Sequence, residues 1–327
     1  STKSLEIKNL ISFFRLFQNI PELFILEKTI KKGYLIADIK LKFDDKGKIQ
    51  DNYEINGFIR DTQIDIIKKY NAQKINFIFR YKKDDLEIND MIFSLNGLNL
   101  KLDKLLVKKK KNNFLLSGNI GHKKLEINDK NIDLFIKPFL PKIQIEKIIL
   151  SSNSFFSFEI KKGFKFDNFE LSSDILIDQF LLTNNFNLKK FFPNIKKSIS
   201  ILDNKLRVKY KKNNLSIIGE GDVIYQNDKD NLTYNLNNKN GILYFDSTLK
   251  INDNSFIIDI LNYEKNKNNQ TIINIKGSKD NKNKTLINLL RLNEDKNMIR
   301  LKNLFLNKNY KITKLDEFYL DYLDKEK

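Results

Sequence analysis

Few side chains in this 327-residue sequence combine the type and spacing that catalysis requires. The single histidine, His122, follows Gly121 near an expected turn, and a lone histidine without a partner group is seldom catalytic. The absence of cysteine excludes a disulfide scaffold, a thiolate nucleophile and a cysteine-ligated metal. Carboxylates are scattered among lysines, and no two stand out as an acid–base pair. A glycosidase remains possible on this ground, because its two acids can lie far apart in sequence. We therefore expect no enzyme activity, no cofactor and no metal site.

Three short segments resemble fragments of ligand-binding loops. The segment GEGD (219–222) has two of the glycines of a dinucleotide fingerprint, but it lies between expected strands and not before a helix. The segments DDKGK (44–48) and NDKDN (227–231) lack the terminal glutamate and the ligand spacing of a calcium loop. All three are interpreted as turns.

The net charge of +18 is consistent with a polyanionic partner or with biased composition. Only six of the 59 basic residues are arginine, the residue whose planar fork suits phosphates and guanine edges. In FIFRYKK (77–83), the aromatic residues share one face of a strand, and Arg80 and Lys82 point away from it. Composition is the favoured explanation, so we expect no nucleic acid partner, and a basic nucleic-acid binder is the less favoured alternative.

Alternation of apolar and polar residues dominates the chain and predicts about twenty short strands. It is clear in GYLIADIKLKF (33–43), in KINFIFRYK (74–82) and on both sides of Asn96-Gly97, a favoured hairpin dipeptide. We expect the apolar faces of these strands to line a binding surface that includes Leu35, Ile39, Leu41, Phe43, Ile75, Phe77, Phe79, Leu98, Leu100 and Leu102.

Helical spacing is rare. Residues 5–19 predict an amphipathic helix that ends before Pro21, with the apolar stripe Leu10, Phe13, Phe14 and Phe17, which would contact either a membrane or the sheet. Short helices are also expected within 61–71, 186–199 and 283–293, whereas 132–137 is expected to be a strand.

These elements predict a mainly β fold with a mostly antiparallel sheet, because strands without intervening helices cannot form βαβ units. Periodicity alone leaves a sandwich, a barrel and an open trough possible. We favour an elongated, curled sheet forming a groove, with a few short helices, because a bland apolar lining suits acyl chains. The expected organisation is a helical lead-in (1–30), groove segments (31–183 and 202–277) separated by a helical interruption (184–201), and a helix with C-terminal strands (278–327).

One phrase, apolar-x-apolar-x-Gly, recurs as YEING (53–57), FLLSG (114–118), LSIIG (215–219) and INIKG (273–277), each expected at a strand end. Together with the strand-turn-strand unit at 33–61 and the closing strands at 300–322, it resembles the AsmA-like family of bacterial envelope proteins. That family is of the bridge-like lipid-transfer type.

The resemblance implies that phospholipid acyl chains pass along an apolar β-groove in the periplasm, between the inner and outer membranes. It also implies an inner-membrane anchor, and outer-membrane or other envelope proteins as partners. The sequence has no apolar stretch of membrane-spanning length and starts at Ser1, so we expect a piece of a longer parent that carries the anchor. The alternative is a structural β-sandwich or β-helical envelope or surface protein that binds protein or glycan.

Overall fold

The structure, a computed structural model, describes residues 2–17, 21–48, 50, 53–67, 70–83, 85–111, 113–137, 143–161, 165–185 and 188–321. The strands are β1 (Leu5–Glu6), β2 (Ile30–Lys40), β3 (Glu54–Ile67), β4 (Tyr70–Lys82), β5 (Asp85–Leu95), β6 (Leu98–Lys109), β7 (Asn113–Ile127), β8 (Gln144–Lys161), β9 (Lys165–Thr183), β10 (Ser198–Lys211), β11 (Asn214–Ile224), β12 (Asp230–Lys239), β13 (Ile242–Ile251), β14 (Ile257–Ile258), β15 (Tyr263–Glu264), β16 (Thr271–Lys279), β17 (Thr285–Glu294), β18 (Asn297–Leu306) and β19 (Ile312–Asp321). The helices are α1 (Ile7–Phe17), α2 (Pro21–Thr29) and α3 (Asp129–Asn131), with a π-helix (Ile132–Ile136) and a 3-10 helix (Asp259–Leu261).

The mainly β, antiparallel fold class is confirmed. Within the described residues, 17 of the strands form one antiparallel sheet that is not closed into a barrel, and β14 pairs only with β15. The three α-helices are short. The Asn96-Gly97 hairpin is also confirmed, with positive φ values of 50° and 87° at its two residues.

The chain divides into two compact units. Unit 1 consists of Ser1–His122 and Ser152–Leu171, and unit 2 consists of Lys123–Ser151 and Ser172–Lys327. In unit 1, strands β2 to β7 pair in chain order. In unit 2, β10 to β13 and then β16 to β19 do the same. The finer division predicted from the sequence stays a prediction.

β-Bulges interrupt the strands of unit 1. Asp61, Lys74 and Asp90 have left-handed φ values of 48°, 53° and 51°, and the strand register shifts beside them. Because a bulge adds one residue to one strand, the residues that share a face switch between odd and even numbers. Thr62 therefore pairs with Ile75, and both side chains are buried.

Glycines of the recurring phrase lie inside strands, so their expected placement at strand ends is wrong. An aromatic ring occupies the place where each Cβ would be. A Cβ on Gly57, Gly118, Gly219 or Gly277 would lie 2.5, 3.0, 2.4 or 2.6 Å from a ring atom. These rings belong respectively to Phe79, Phe156, Tyr234 and Phe245. The phrase thus marks positions where a ring packs directly on the backbone of its neighbour.

Unit 2 has its own apolar core at one end of its sheet. The fully covered side chains are Ile251, Phe256, Tyr263, Leu292 and Ile299. They come from β13, β17 and β18 and from the segment 252–265, which contains the β14–β15 pair. Phe192 packs against this cluster and lies 5.2 Å, centroid to centroid, from Phe256. At this end of the sheet, the chain itself therefore covers the apolar side of the strands.

Two buried carboxylates hold this covering segment to the sheet. Asp230 accepts hydrogen bonds from the Tyr225 hydroxyl (2.5 Å) and from Asn254 Nδ2 (2.9 Å). Glu294 accepts from the Tyr263 hydroxyl (2.5 Å) and from the backbone N–H of Asn266 (2.6 Å). Burial and the neighbouring carboxylates raise the pKa of both tyrosines far above the ordinary value.

Two predicted helices are strands. Residues 61–71 belong to β3 and β4 in their described part, and 283–293 lies largely in β17. Bulges explain both errors, because one extra residue gives apolar side chains on the same face a helix-like spacing of three. Ile287 and Leu290 illustrate this: they face Leu304 and Leu301 across a register irregularity near Asn288.

Other expectations also fail locally. Residues 129–136 are helical where a strand was expected at 132–137, and the Asn128 side chain caps that helix by accepting from Asn131 N. The described part of 186–199 contains turns and the start of β10, with no helix. The segment 219–222 lies inside β11 and is no turn. Pro21 begins a second helix, α2.

Replacement of Gly57 by alanine should destabilise unit 1. The new Cβ would lie 2.5 Å from Phe79 Cε1 and 2.7 Å from the Ile36 carbonyl oxygen. Overpacking of this kind costs about 1–3 kcal/mol. Urea unfolding followed by circular dichroism measures the loss. The control is Gly121→Ala, whose Cβ would lie no closer than 3.7 Å to its neighbours; an equal loss in both variants would contradict the assigned role of the ring.

Alkaline pH should destabilise unit 2 through Tyr225 and Tyr263. Their folded pKa values are raised, so above about pH 10 the unfolded chain loses protons that the folded chain keeps. The stabilisation is complete below that pH and declines above it, by up to about 1.4 kcal/mol per tyrosine per pH unit. Urea titrations from about pH 9 to 11 should show a shallower decline for Tyr225→Phe/Tyr263→Phe. Identical slopes would contradict this assignment.

Candidate functional site

Unit 1 aligns its apolar side chains in rows that cross the strands. One row takes one residue from each strand from β2 to β7: Ile39, Ile55, Tyr81, Leu86, Val107 and Leu116. The adjacent row contains Ala37, Gly57, Phe79, Ile88, Leu105 and Gly118. Each residue is the direct cross-strand partner of the next, so the rows are continuous over six strands. We call this surface the apolar face of unit 1.

Unit 2 repeats this arrangement over eight strands. Its longest apolar row runs from β10 to β19 and contains Val208, Ile217, Leu236, Phe245, Gly277, Ile287, Leu304 and Leu315. The next row keeps the apolar character except at Ser247, and it contains Leu206, Gly219, Tyr234, Ser247, Ile275, Leu290, Leu301 and Phe318. We call this surface the apolar face of unit 2.

Most side chains in these rows are only partly shielded. In the first row of unit 1, Ile39 is exposed and the other five residues are half-buried. In the long row of unit 2, Gly277, Ile287 and Leu304 are buried, Leu315 is exposed, and the remaining four residues are half-buried. Closely packed cores bury such residues almost completely. Both faces therefore retain apolar surface that a ligand could cover.

The opposite face of unit 1 carries charges in cross-strand pairs. Glu54 forms ion pairs with Arg80 (3.0 Å) and Lys82 (3.6 Å), and Lys104 pairs with Glu87 (2.6 Å). The hydrogen bond from Asn56, followed by that from Arg80, lowers the pKa of Glu54. The hydrogen bond from Lys104 likewise lowers the pKa of Glu87. Arg80 and Lys82 of FIFRYKK thus pair with a carboxylate on this face, and the aromatic residues of that segment lie on the other.

Aromatic rings extend the apolar face of unit 1 beyond β7. The ring of Phe156 in β8 covers Gly118, and its centroid lies 6.1 Å from that of Phe158. Phe166 in β9 lies 5.6 Å from Phe158 and is largely exposed. The three phenylalanines offer a nonspecific apolar surface suited to aliphatic groups.

The predicted lining residues fall into three groups. Ile39 and Phe79 lie in the two rows of unit 1, and Leu35 and Phe77 are joined in a neighbouring row through Ile59. A second group lies beyond the bulges, where Leu98, Leu100 and Leu102 face Leu95, Phe93 and Met91.

The third group stands apart from the rows. Ile75 is buried against Thr62. Leu41 and Phe43 follow the end of β2 and are exposed. Their role as lining residues stays a prediction.

Sequence reasoning missed several members of the rows, among them Ile55, Leu86, Ile88, Leu105, Val107 and Leu116. Each belongs to an alternating stretch, so its apolar character was visible, but the register was not. His122 and the NDKDN segment, both considered above for chemistry, also lie outside the apolar rows. His122 is half-buried within β7, where burial lowers its pKa, and Asp230 belongs to the buried network of unit 2.

No family model matches the chain, and comparisons with curated proteins and solved structures also give no match. In the described part of the chain, no helix is both long and apolar enough to cross a membrane. Among the same residues, no group of three or more histidine or acidic side chains could hold a metal ion.

Single thiols can test the exposure of the apolar face, because the chain has no cysteine of its own. The Ile39 side chain is 53% exposed, whereas that of Ile75 is 2% exposed. In the folded protein, a maleimide should modify Ile39→Cys at least about tenfold faster than Ile75→Cys. Mass spectrometry follows the reaction, and urea-unfolded protein supplies the reference rate. Equal rates in the folded state would show that the Ile39 end of the face is closed.

Proposed function

We propose that this chain binds phospholipid acyl chains along the apolar rows of its sheet, as a periplasmic segment of an AsmA-like lipid-transfer protein. The observation that carries this proposal is the cross-strand continuity of half-buried apolar side chains over six strands in unit 1 and eight in unit 2. Transfer between the inner and outer membranes, the membrane anchor and the envelope-protein partners rest on the resemblance in the strand pattern.

The dimensions support acyl chains as the ligand. At a strand spacing of about 4.8 Å, six strands span roughly 24 Å and eight strands roughly 34 Å. One leaflet of a bilayer has a hydrocarbon thickness of about 15 Å, so either row is long enough for an acyl chain. Each CH₂ group removed from water contributes about 0.8 kcal/mol, and an apolar row supplies the surface that removes it.

The chemistry of the rows suits movement better than tight binding. The rows of unit 1 contain only aliphatic, aromatic and glycine residues, so successive positions offer a chain similar contacts. A specific ligand site would instead place a few polar groups to fix one orientation. Head groups would stay in solvent, where exposed lysines attract anionic phosphates.

The covered end of unit 2 favours a second candidate function. There the segment 252–265 and Phe192 fill the apolar face with protein, as expected for a structural β domain that binds protein or glycan. The two candidates differ in what the half-buried rows contact. In a lipid carrier, the half-buried rows contact acyl chains. In a structural domain, lipid is no part of the function.

Photo-crosslinking can test the proposal directly. The purified protein is incubated with radiolabelled phosphatidylglycerol that carries a diazirine on one acyl chain. The variant Phe79→Gln/Leu105→Gln places two polar amides in one row of unit 1 and should reduce crosslinking to that unit at least about tenfold. Proteolysis and mass spectrometry assign the crosslinks to peptides of unit 1 or unit 2.

The matched control is Ile78→Gln/Ile92→Gln, on the opposite face of β4 and β5, where both side chains are exposed. This variant should crosslink as the wild type does. Circular dichroism and urea unfolding verify that both variants are folded. Absence of crosslinking in the wild type, or an equal loss in both variants, would reject the proposal and favour the structural alternative.

A further inference from the structure

Helices α1 and α2 expose most of their large apolar side chains. Two residues of the predicted stripe of α1, Phe13 and Phe14, are exposed, and Leu16, outside that stripe, is 81% exposed. In α2, three consecutive residues, Phe24, Ile25 and Leu26, are also exposed. A cluster of this size in two adjacent helices is uncommon in a soluble domain and marks an interaction site.

The two helices form one fixed element. Glu27 of α2 forms an ion pair with Arg15 of α1 and accepts a 2.6 Å hydrogen bond from the Ser12 hydroxyl. These bonds, with the Ser12 hydrogen bond the largest contribution, lower the pKa of Glu27 and keep it ionised. The Arg15 guanidinium also lies 5.1 Å from the centroid of the Phe24 ring. The exposed side chains of both helices are therefore presented together.

A different side of α1 attaches the pair to the sheet. Ile11 is buried, and a Cβ on Gly33 of β2 would lie 3.0 Å from the Ile7 side chain. Ile30, the first residue of β2, follows α2 directly and is buried. The sheet contact thus uses Ile7 and Ile11, and Phe13 and Leu16, three residues apart on the other side of α1, remain available to another surface.

Charge identifies the kind of surface. Residues 1–33 contain six basic and three acidic side chains, and one of the acids, Glu27, is paired with Arg15. Lys3, Lys8 and Lys28 are exposed. Exposed phenylalanine and leucine together with lysine are typical of helices that lie in the headgroup region of anionic bilayers. A protein groove would instead select a single stripe at helical spacing, and the apolar residues of α2 are consecutive.

We infer that the α1–α2 pair is a docking surface for anionic lipid bilayers, into which Phe13, Leu16, Phe24 and Ile25 insert. The pair lies flat on the membrane and does not span it, and lysines at its margin contact lipid phosphates. Insertion combines the two contributions that stable peripheral binding needs, apolar burial and attraction to negative charge. This inference does not require acyl chains in the apolar rows.

Vesicle flotation tests the docking surface. The full chain is mixed with vesicles of equimolar phosphatidylglycerol and phosphatidylcholine, or of phosphatidylcholine alone. The wild type should float with the anionic vesicles and less with the neutral ones. Phe13→Ser/Leu16→Ser should weaken binding to the anionic vesicles at least about tenfold. Both side chains are exposed, so the fold should be retained.

The matched control is Ile260→Ser/Ile312→Ser in unit 2, where the side chains are 91% and 68% exposed. It should float as the wild type does, and so should Phe79→Gln/Leu105→Gln, which separates docking from acyl-chain binding. No flotation of the wild type, or equal losses in the helix variant and its control, would overturn the inference. A wild-type dimer that Phe13→Ser/Leu16→Ser converts to monomer, without vesicle binding, would assign the surface to a second copy.

Discussion

In an antiparallel sheet, each side chain lies beside the one directly across the ladder, with Cβ atoms about 4.5–5.5 Å apart. Strand register therefore determines whether apolar residues meet apolar residues or charges. In unit 1 it places Ile55 between Ile39 and Tyr81, and it places Glu54, the preceding residue, between Lys40 and Lys82. A shift of one residue in a single strand would put charges among the apolar side chains. The two faces of the sheet exist only because this register is kept over successive strands.

Local devices maintain the register where the alternation is imperfect. Left-handed residues such as Asp61 and Asp90 each absorb one extra residue, so the apolar side remains the same beyond them. Glycines perform the complementary task, because a position without a side chain accepts the ring of its cross-strand partner. Gly219 and Tyr234 are such a pair, and the hydroxyl of this tyrosine also donates to Asn204 at 2.8 Å.

The strands, their one-sided apolar character and the hairpin at Asn96-Gly97 could be predicted from sequence, because a period of two and a positive-φ dipeptide are local signals. The partners could not. Nothing in the sequence near Leu86 indicates that it lies between Tyr81 and Val107, since pairing depends on loop lengths and bulges. Bulges also explain why 283–293 was expected to be helical. The segment that contains Asp230 predicts a turn, because the burial of its carboxylate depends on Asn254, 24 residues away in the sequence.

The units use similar faces differently. Unit 2 closes one end of its apolar face with the segment 252–265, which buried tyrosine–carboxylate hydrogen bonds secure. In the rows, by contrast, rings occupy the space beside glycines in four places. A ring that fills the gap left by a missing side chain keeps the surface level, so neither a protrusion nor a hole interrupts it. A hydrocarbon chain lying on this surface would meet few steps that could stop it. It would therefore slide along the row with low friction.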